Sequence, residues 1–259
     1  MKTIKKTITK NGNLCAYNYK LGKYEEISTD RYGEAIKASY YDENSKRHNK
    51  PAKHGKTLSF EFEVGYDDPA LLFLSLQGYD WLRTNDSTVA VEYKTPIFNS
   101  LRGIRPILKR IEETHPDMDG AGSHINFGHK DFTSREMNGL RQHFKQIFEP
   151  MDTLIRETSE RKVANFFGRE LEDWATSLYD NCFDWNDHTN WINLQHSDWI
   201  ECRLPRFESA DQYMRCIAFC WEMMDILLKG SKAIAETSSS DEVDKLAMLL
   251  KWNLQKYLK

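Results

Sequence analysis

Residues 58–63, Leu-Ser-Phe-Glu-Phe-Glu, alternate apolar and acidic side chains, the two-residue period of a strand with one face in the core. Leu58, Phe60 and Phe62 then share one face, and Ser59, Glu61 and Glu63 the other. Two carboxylates about 7 Å apart on one strand face repel unless something positive lies between them. A hard divalent cation is what such oxygens take. A solvated sheet face is the alternative for an isolated Glu-x-Glu.

Three further segments repeat the pattern. Glu92 alternates with apolar residues in Val91-Glu92-Tyr93-Lys94-Thr95-Pro96, and His124 and Asn126 do so in Gly122-Ser-His-Ile-Asn-Phe-Gly128. The glycines at 122 and 128 would let a ligand approach the backbone closely. Glu201 and Arg203 share a face in Asp198-Trp-Ile-Glu-Cys-Arg-Leu-Pro205, with Asn193 on the strand before. Each has an ordinary explanation alone: a satisfied core histidine, surface charges on an edge strand, a turn at Asp86-Ser87. A sheet that turns this face inward gathers Glu61, Glu63, Glu92, His124 and Glu201 in one concavity. Four carboxylates cannot share a cleft uncompensated. Two or three Mg2+ ions, or Mn2+ in their place, would compensate them and bring substrate phosphates along. On this reasoning Glu61→Gln or Glu201→Gln relieves repulsion and leaves the fold intact.

The elements that carry these residues are strands with interspersed helices and no regular βαβ beat, which favours α+β. Thr7 to Tyr24 reads as a hairpin turning at Asn11-Gly12 or Gly22, and residues 42–56 as an exposed basic loop or linker. An apolar stretch follows around Leu71 to Leu76, then a strand from Thr88 stopped by Pro96. Leu101, Ile104, Ile107, Leu108 and Ile111 recur at helical spacing. Thr133 or Ser134 caps a helix that reaches about Phe148 and restarts after Pro150. Asn190–Gln195 and Asp198–Pro205 form an antiparallel pair. The tail is helical: Tyr213, Cys216, Phe219, Cys220, Met223 and Leu227 form one apolar stripe, and Ser239 with Glu242 has capping-box spacing. Three units result: a basic appendage at 1–57, a core at 58–207, and C-terminal helices at 208–259.

With 259 residues, 40% hydrophobic and 29% charged, the chain has the composition of an ordinary globular protein. Residues 1–57 hold 13 Lys+Arg against 6 Asp+Glu and so carry +7, which leaves −10 on the remainder. That appendage suits an anionic partner or, more simply, solubility. The net charge of −3 does not describe a protein that coats nucleic acid. Five cysteines, an odd number without a CxxC pair in a chain of this length, argue against a disulfide framework or a structural zinc site. The start, MKTIKKTITKNG, has no apolar run of the signal-peptide kind, and no segment approaches a membrane helix, so the expectation is a cytoplasmic protein. An oligomer is compatible with all of this.

Read in order, these motifs resemble the amidoligase branch of the glutamine synthetase-like carboxylate–amine ligases. That family's pattern runs Glu-x-Glu, an Asp-x-Ser-like segment, Glu-x-x-Ser/Thr-Pro, Gly-x-His-x-His, a helical Arg, an Asn-bearing strand and Glu-x-Arg. Here the segments are Glu61-Phe62-Glu63, Asp86-Ser87, Glu92-Tyr93-Lys94-Thr95-Pro96, Gly122-Ser123-His124-Ile125-Asn126, Arg161, Asn193 and Glu201-Cys202-Arg203. The second His of the fourth motif is Asn126 in this chain, and Arg156 and Arg169 compete with Arg161. The resemblance covers roughly residues 57–207.

What it implies is a curved, mostly antiparallel sheet with a concave acidic face and helices behind it. It further implies ATP- and Mg2+-dependent formation of an amide or isopeptide bond between a carboxylate and an amine through an acyl phosphate. Glu61, Glu63, Glu92, His124 and Glu201 would hold the metal. Arg203 and Arg161 would neutralise charge on the transferred group, with Arg203, Asn126 and Asn193 also meeting the nucleotide. Asp86 would orient a substrate. Two other readings stay open: a guanidino kinase-like phosphotransferase, and a non-catalytic nucleotide- or metal-binding regulator on the same scaffold.

Overall fold

The computed structural model describes residues 7–10, 13–18, 23–26, 56–76, 82–84, 91–95, 97–128, 131–170, 184, 190–196, 199–237 and 239–259. Near the start, β1 (Thr7–Lys10), β2 (Asn13–Asn18) and β3 (Lys23–Glu26) form a three-stranded antiparallel sheet. Lys10 pairs with Asn13 and Asn18 with Lys23, so both candidate turn sites separate paired strands and the hairpin is a meander. Of the basic loop at 42–56, only Lys56 lies among the described residues.

The second sheet carries the acidic motifs. Its strands are β4 (Leu58–Val64), β5 (Leu82–Thr84), β6 (Val91–Lys94), β7 (Met118–Phe127), β8 (Ile192–Asn193) and β9 (Ile200–Cys202). They lie in the order β5-β6-β4-β7-β9-β8, every neighbour antiparallel. The architecture is α+β. Alternation sets the faces: Phe60, Phe62, Tyr93, Ile125, Phe127, Ile200 and Cys202 point into the core, all buried. A register shift between Phe62 and Val64 interrupts the β4–β7 ladder.

The helices among the described residues are α1 (Pro69–Leu76), α2 (Ile104–Glu112), α3 (Ser134–Gln142), α4 (Phe144–Glu157), α5 (Glu160–Phe167), α6 (Ala210–Thr237) and α7 (Ser240–Tyr257). The apolar stretch at 71–76 is thus α1, started by Asp68, whose Oδ1 accepts from the N–H groups of Ala70 and Leu71 at 2.9 Å. An apolar run this short does not reveal its period. Helix α6 spans the apolar face of the sheet: Tyr213 packs its ring 5.9 Å from Phe60 and 5.8 Å from Phe62, and Phe207 lies 5.8 Å from Phe62. The Tyr213 hydroxyl donates to the His124 carbonyl at 3.3 Å, tying the helix to β7. Helix α7 packs on α6 and α4.

Thr133 makes a full capping box with Glu136, but the helix it starts ends at His143, not Phe148. The next helix runs through Pro150 without restarting. Proline removes one helical donor; here Ile147, Phe148 and Met151, all fully buried, hold the helix against the core across that gap. Ser239 caps α7 through the N–H of Asp241 at 3.2 Å rather than that of Glu242.

Candidate functional site

Antiparallel register brings the polar residues of five strands into rows across the sheet. Glu61 on β4 stands opposite Lys94 on β6 and His124 on β7. Glu63 stands opposite Glu92. Glu201 on β9 stands between Asn126 on β7 and Asn193 on β8. Directly opposed residues on one face have Cβ atoms about 5 Å apart, so side chains scattered over more than a hundred positions become neighbours. This face is not a solvated one: Glu63 is 4% exposed, Glu92 3%, His124 1% and Glu201 6%. Glu61 forms its most open edge, with 14% of its side chain accessible.

His124 sits at the centre. Its Nδ1 lies 2.9 Å from Glu201 Oε1 and 3.7 Å from Glu61 Oε2, and its Nε2 lies 3.7 Å from Glu63 Oε2. None of these is directed along a ring N–H, and both ring nitrogens are buried without a hydrogen-bond partner. Glu63 Oε2 and Asn126 Oδ1 are buried in the same state. One donor atom each from Glu61, His124 and Glu201 lies within 4.8 Å of the others, the spread at which a single ion bridges them. Glu63 stands on the far side of the imidazole, and Glu92 turns away to Lys94.

Lysine 94 changes the charge argument. Its Nζ lies 3.1 Å from Glu61 Oε1 and 3.2 Å from Glu92 Oε1, and Arg203 Nε lies 3.7 Å from Glu201 Oε1. With His124 protonated, three cations face four carboxylates. The chain thus supplies part of the positive charge that faces this cluster, and one donor atom each from Glu61, His124 and Glu201 suits a divalent ion. Lys94 was legible, since it lies two residues from Glu92 on the same strand face.

The titrations follow. Burial pushes the Glu61 carboxyl up, but Lys94 and the His124 contact outweigh it and hold the group well below the carboxylate range. Glu201 is likewise held low: burial opposes its charge, and His124, His196 and Arg203 overcome it. Glu63 goes the other way, burial raising its pKa against the pull of His124. Burial also disfavours charge on His124, yet Glu63, Glu201 and Glu61 together raise it to about 10. Removing an acid thus relieves repulsion at Glu63 only. At Glu61 and Glu201 the surroundings stabilise the negative charge, so removing either acid is expected to cost stability.

The amides divide the work. Asn126 donates to Glu61 Oε1 at 2.8 Å. Asn193 donates to Glu201 Oε2 at 2.8 Å and accepts from the Gln195 N–H at 2.8 Å, so both ends of its amide are engaged in holding Glu201. Of the competing arginines, Arg156 pairs with Asp152 at 2.7 Å and Arg161 is exposed on α5. Arg169 is buried at 3% exposure beyond the left-handed Gly168 that ends α5. Its guanidinium fills the space above Gly122, 2.9 Å from where a Cβ would lie. Gly128 likewise makes room for Phe132, at 2.3 Å from such an atom. Both glycines have positive φ, 86° and 78°; they admit the protein's own side chains rather than a ligand. Asp86 lies outside the described residues.

Beside this end of β7, a cavity of about 400 Å3 is lined by Asn165, Arg169, Glu170, Arg206 and Glu208, among others. Arg206 donates to the Met118 carbonyl at 2.9 Å. Sequence reasoning did not single out Arg206, which lies in no motif; only the return of the chain after β9 brings it beside Arg169.

No family model, curated protein or solved structure matches the chain. Among the described residues, no helix is long and apolar enough to cross a membrane.

Proposed function

We propose that the polar face of the six-stranded sheet is the active face of an ATP-dependent carboxylate–amine ligase with a glutamine synthetase-like curved sheet. One observation carries the reading: donor atoms of Glu61, His124 and Glu201 within 4.8 Å of one another, around an imidazole with no hydrogen-bond partner. Orphaned polar atoms at 1% exposure are rare in folded proteins and call for a ligand or an ion.

A divalent ion there would draw negative charge off the phosphates of ATP. Glu61, His124 and Glu201 would hold it, with Glu63 and Glu92 in support through His124 and Lys94. The chain's own groups do the rest. Arg203, beside Glu201, faces charge that develops on the transferred phosphoryl group. Asn126 offers its Oδ1 as an acceptor to a substrate or nucleotide N–H, and Asn193 keeps Glu201 in place. Arg169 and Arg206 border a cavity large enough for a small carboxylate. Carboxylate oxygen attacks the γ-phosphorus and ADP leaves; an amine then attacks the acyl phosphate carbon, loses a proton and displaces phosphate, and positioning supplies most of the rate.

One observation favours a second reading, a non-catalytic protein that keeps the pocket as scaffold: Lys94, Arg203 and His124 already match three of the four carboxylates. Hydroxylamine separates the two. It intercepts acyl phosphates as hydroxamates and stands in for the amine. With ATP, a divalent ion and a pool of amino acids and short peptides, the ligase releases phosphate and hydroxamate in equal amounts. Phosphate loss with a phosphorylated acceptor and no hydroxamate identifies a phosphotransferase. Neither product under any mixture leaves the scaffold reading.

A further inference from the structure

Helix α7 turns one apolar stripe inward and another outward. Val243, Leu246, Ala247, Leu250 and Leu254 are buried, and they account for its packing on α6 and α4. On the outer face Met248 is 41% exposed, Leu249 39% and Trp252 56%. Among the described residues these are three of the four large hydrophobic side chains left exposed, and they fall within one turn and a half of helix. Met248 and Trp252 continue into an exposed row made of positions 241, 245, 248, 252, 255 and 259. Steps of four and three alternate along that row, the seam spacing of two helices packed along their length.

Charge divides the same helix. Residues 240–249 hold three acids and one lysine, and residues 250–259 three lysines and no acid. A parallel copy would set acid against acid at one end and lysine against lysine at the other. An antiparallel copy sets the acidic end against the basic end twice over and aligns the two macrodipoles favourably. With the two-fold axis near residue 250, Met248 of each copy falls against Trp252 of the other, and Asp241 against Lys259. Methionine and tryptophan at the centre with charges at the rim is the usual anatomy of a protein interface. Asp244 already accepts from Gln146 at 2.8 Å and Lys256 pairs with Glu222, but these are surface contacts that exchange at little cost.

We infer that the outer face of α7 recognises a second copy of this chain through an antiparallel α7–α7 contact. The contact is small: an 18-residue helix, about 27 Å long, offers less than the roughly 800 Å2 per partner of a standard interface. The pair therefore forms at micromolar concentration and separates on dilution. Because α7 lies on the helical side of the sheet, packed on α6, both copies keep the polar face accessible.

Sedimentation of the native chain from about 1 to 100 µM tests this, since mass action moves the pair across that range. The mass should climb from 30.4 kDa toward twice that value. Trp252→Glu should weaken association by at least about tenfold while the melting temperature of the dilute chain stays unchanged, and Met248→Lys serves as the second variant. Charge reversals fix the orientation. Asp241→Lys with Asp244→Lys makes both ends of α7 basic, and Lys256→Glu with Lys259→Glu makes both acidic. Each double variant should be monomeric alone, and the two should associate when mixed. A native chain that stays at 30.4 kDa overturns the inference and leaves the face to a different partner. A dimer that persists in Trp252→Glu and Met248→Lys, or charge variants that stay monomeric when mixed, overturns it as well.

Discussion

The two faces of β4 solve opposite problems with the same backbone. On one, Phe60 and Phe62 meet Tyr213, Phe98 and Phe207 at ring separations of 5.5 to 5.9 Å, and each contact is favourable on its own. On the other, Glu61 and Glu63 meet groups that are favourable only as a set. Burial alone would protonate these acids; Lys94, His124 and Arg203 keep Glu61 and Glu201 charged and leave Glu63 reluctant. The apolar face specifies the fold by area. The polar face holds ions close in a dry setting, where their interaction is strong and their arrangement is unforgiving. Such a face is expensive unless it does chemistry.

The largest break in this contrast comes from the apolar side. Phe62→Ala removes a fully buried ring from between Phe207 and Tyr213 and should destabilise the chain by about 3–5 kcal/mol in chemical denaturation. On the polar face the sign depends on the residue. Glu201→Gln strips the partner from His124, His196 and Arg203 and should cost on the order of 3 kcal/mol. Glu63→Gln removes the acid whose charge burial opposes, and should leave the melting temperature equal or higher. A loss in Glu63→Gln as large as in Glu201→Gln would contradict the account of the cluster.

Acidity sharpens the contrast further. The His124 pKa lies near 10 in the fold against 6.5 outside it. The folded chain therefore keeps a proton that the unfolded chain loses, and this stabilisation is full below about pH 6.5 and fades toward pH 10. Glu63, also raised, works in the same direction from its ordinary value of 4.5 upward. Glu61 and Glu201 are lowered from 4.5, so their contribution is full above that value and is lost on acidification. Melting temperature against pH should form a dome with its top between about 4.5 and 6.5, and Glu63→Gln should flatten only its alkaline side.

What the sequence discloses follows the range of the interaction. Alternation is local, so Glu61, Glu63, Glu92, His124, Asn126 and Glu201 were assignable to one face of their strands. The stripe from Tyr213 to Leu227 likewise marked α6. Register is not local. That Lys94 would stand across from Glu61, and offset part of the cluster's negative charge, depends on how β6 aligns with β4. His196 and Arg169 reach the site through a turn and a helix end, positions with no periodic signature. Pro150 misled for a related reason: the packing of Ile147 and Met151 outweighs a missing donor, and packing is settled by partners far along the chain.

The central claim is that Glu61, His124 and Glu201 hold an ion that ATP needs. It is tested most directly by the melting temperature of the native chain and of Glu61→Gln with metal alone, ATP alone and both, using Mg2+ and Mn2+ in turn. Ligand at about 100 times its dissociation constant adds roughly 2.7 kcal/mol to the folded state, a rise of several degrees for a chain of this size. The account predicts that rise in the native chain only when metal and nucleotide are both present, and its disappearance in Glu61→Gln. No rise at millimolar concentrations, or the same rise in the variant, would contradict it.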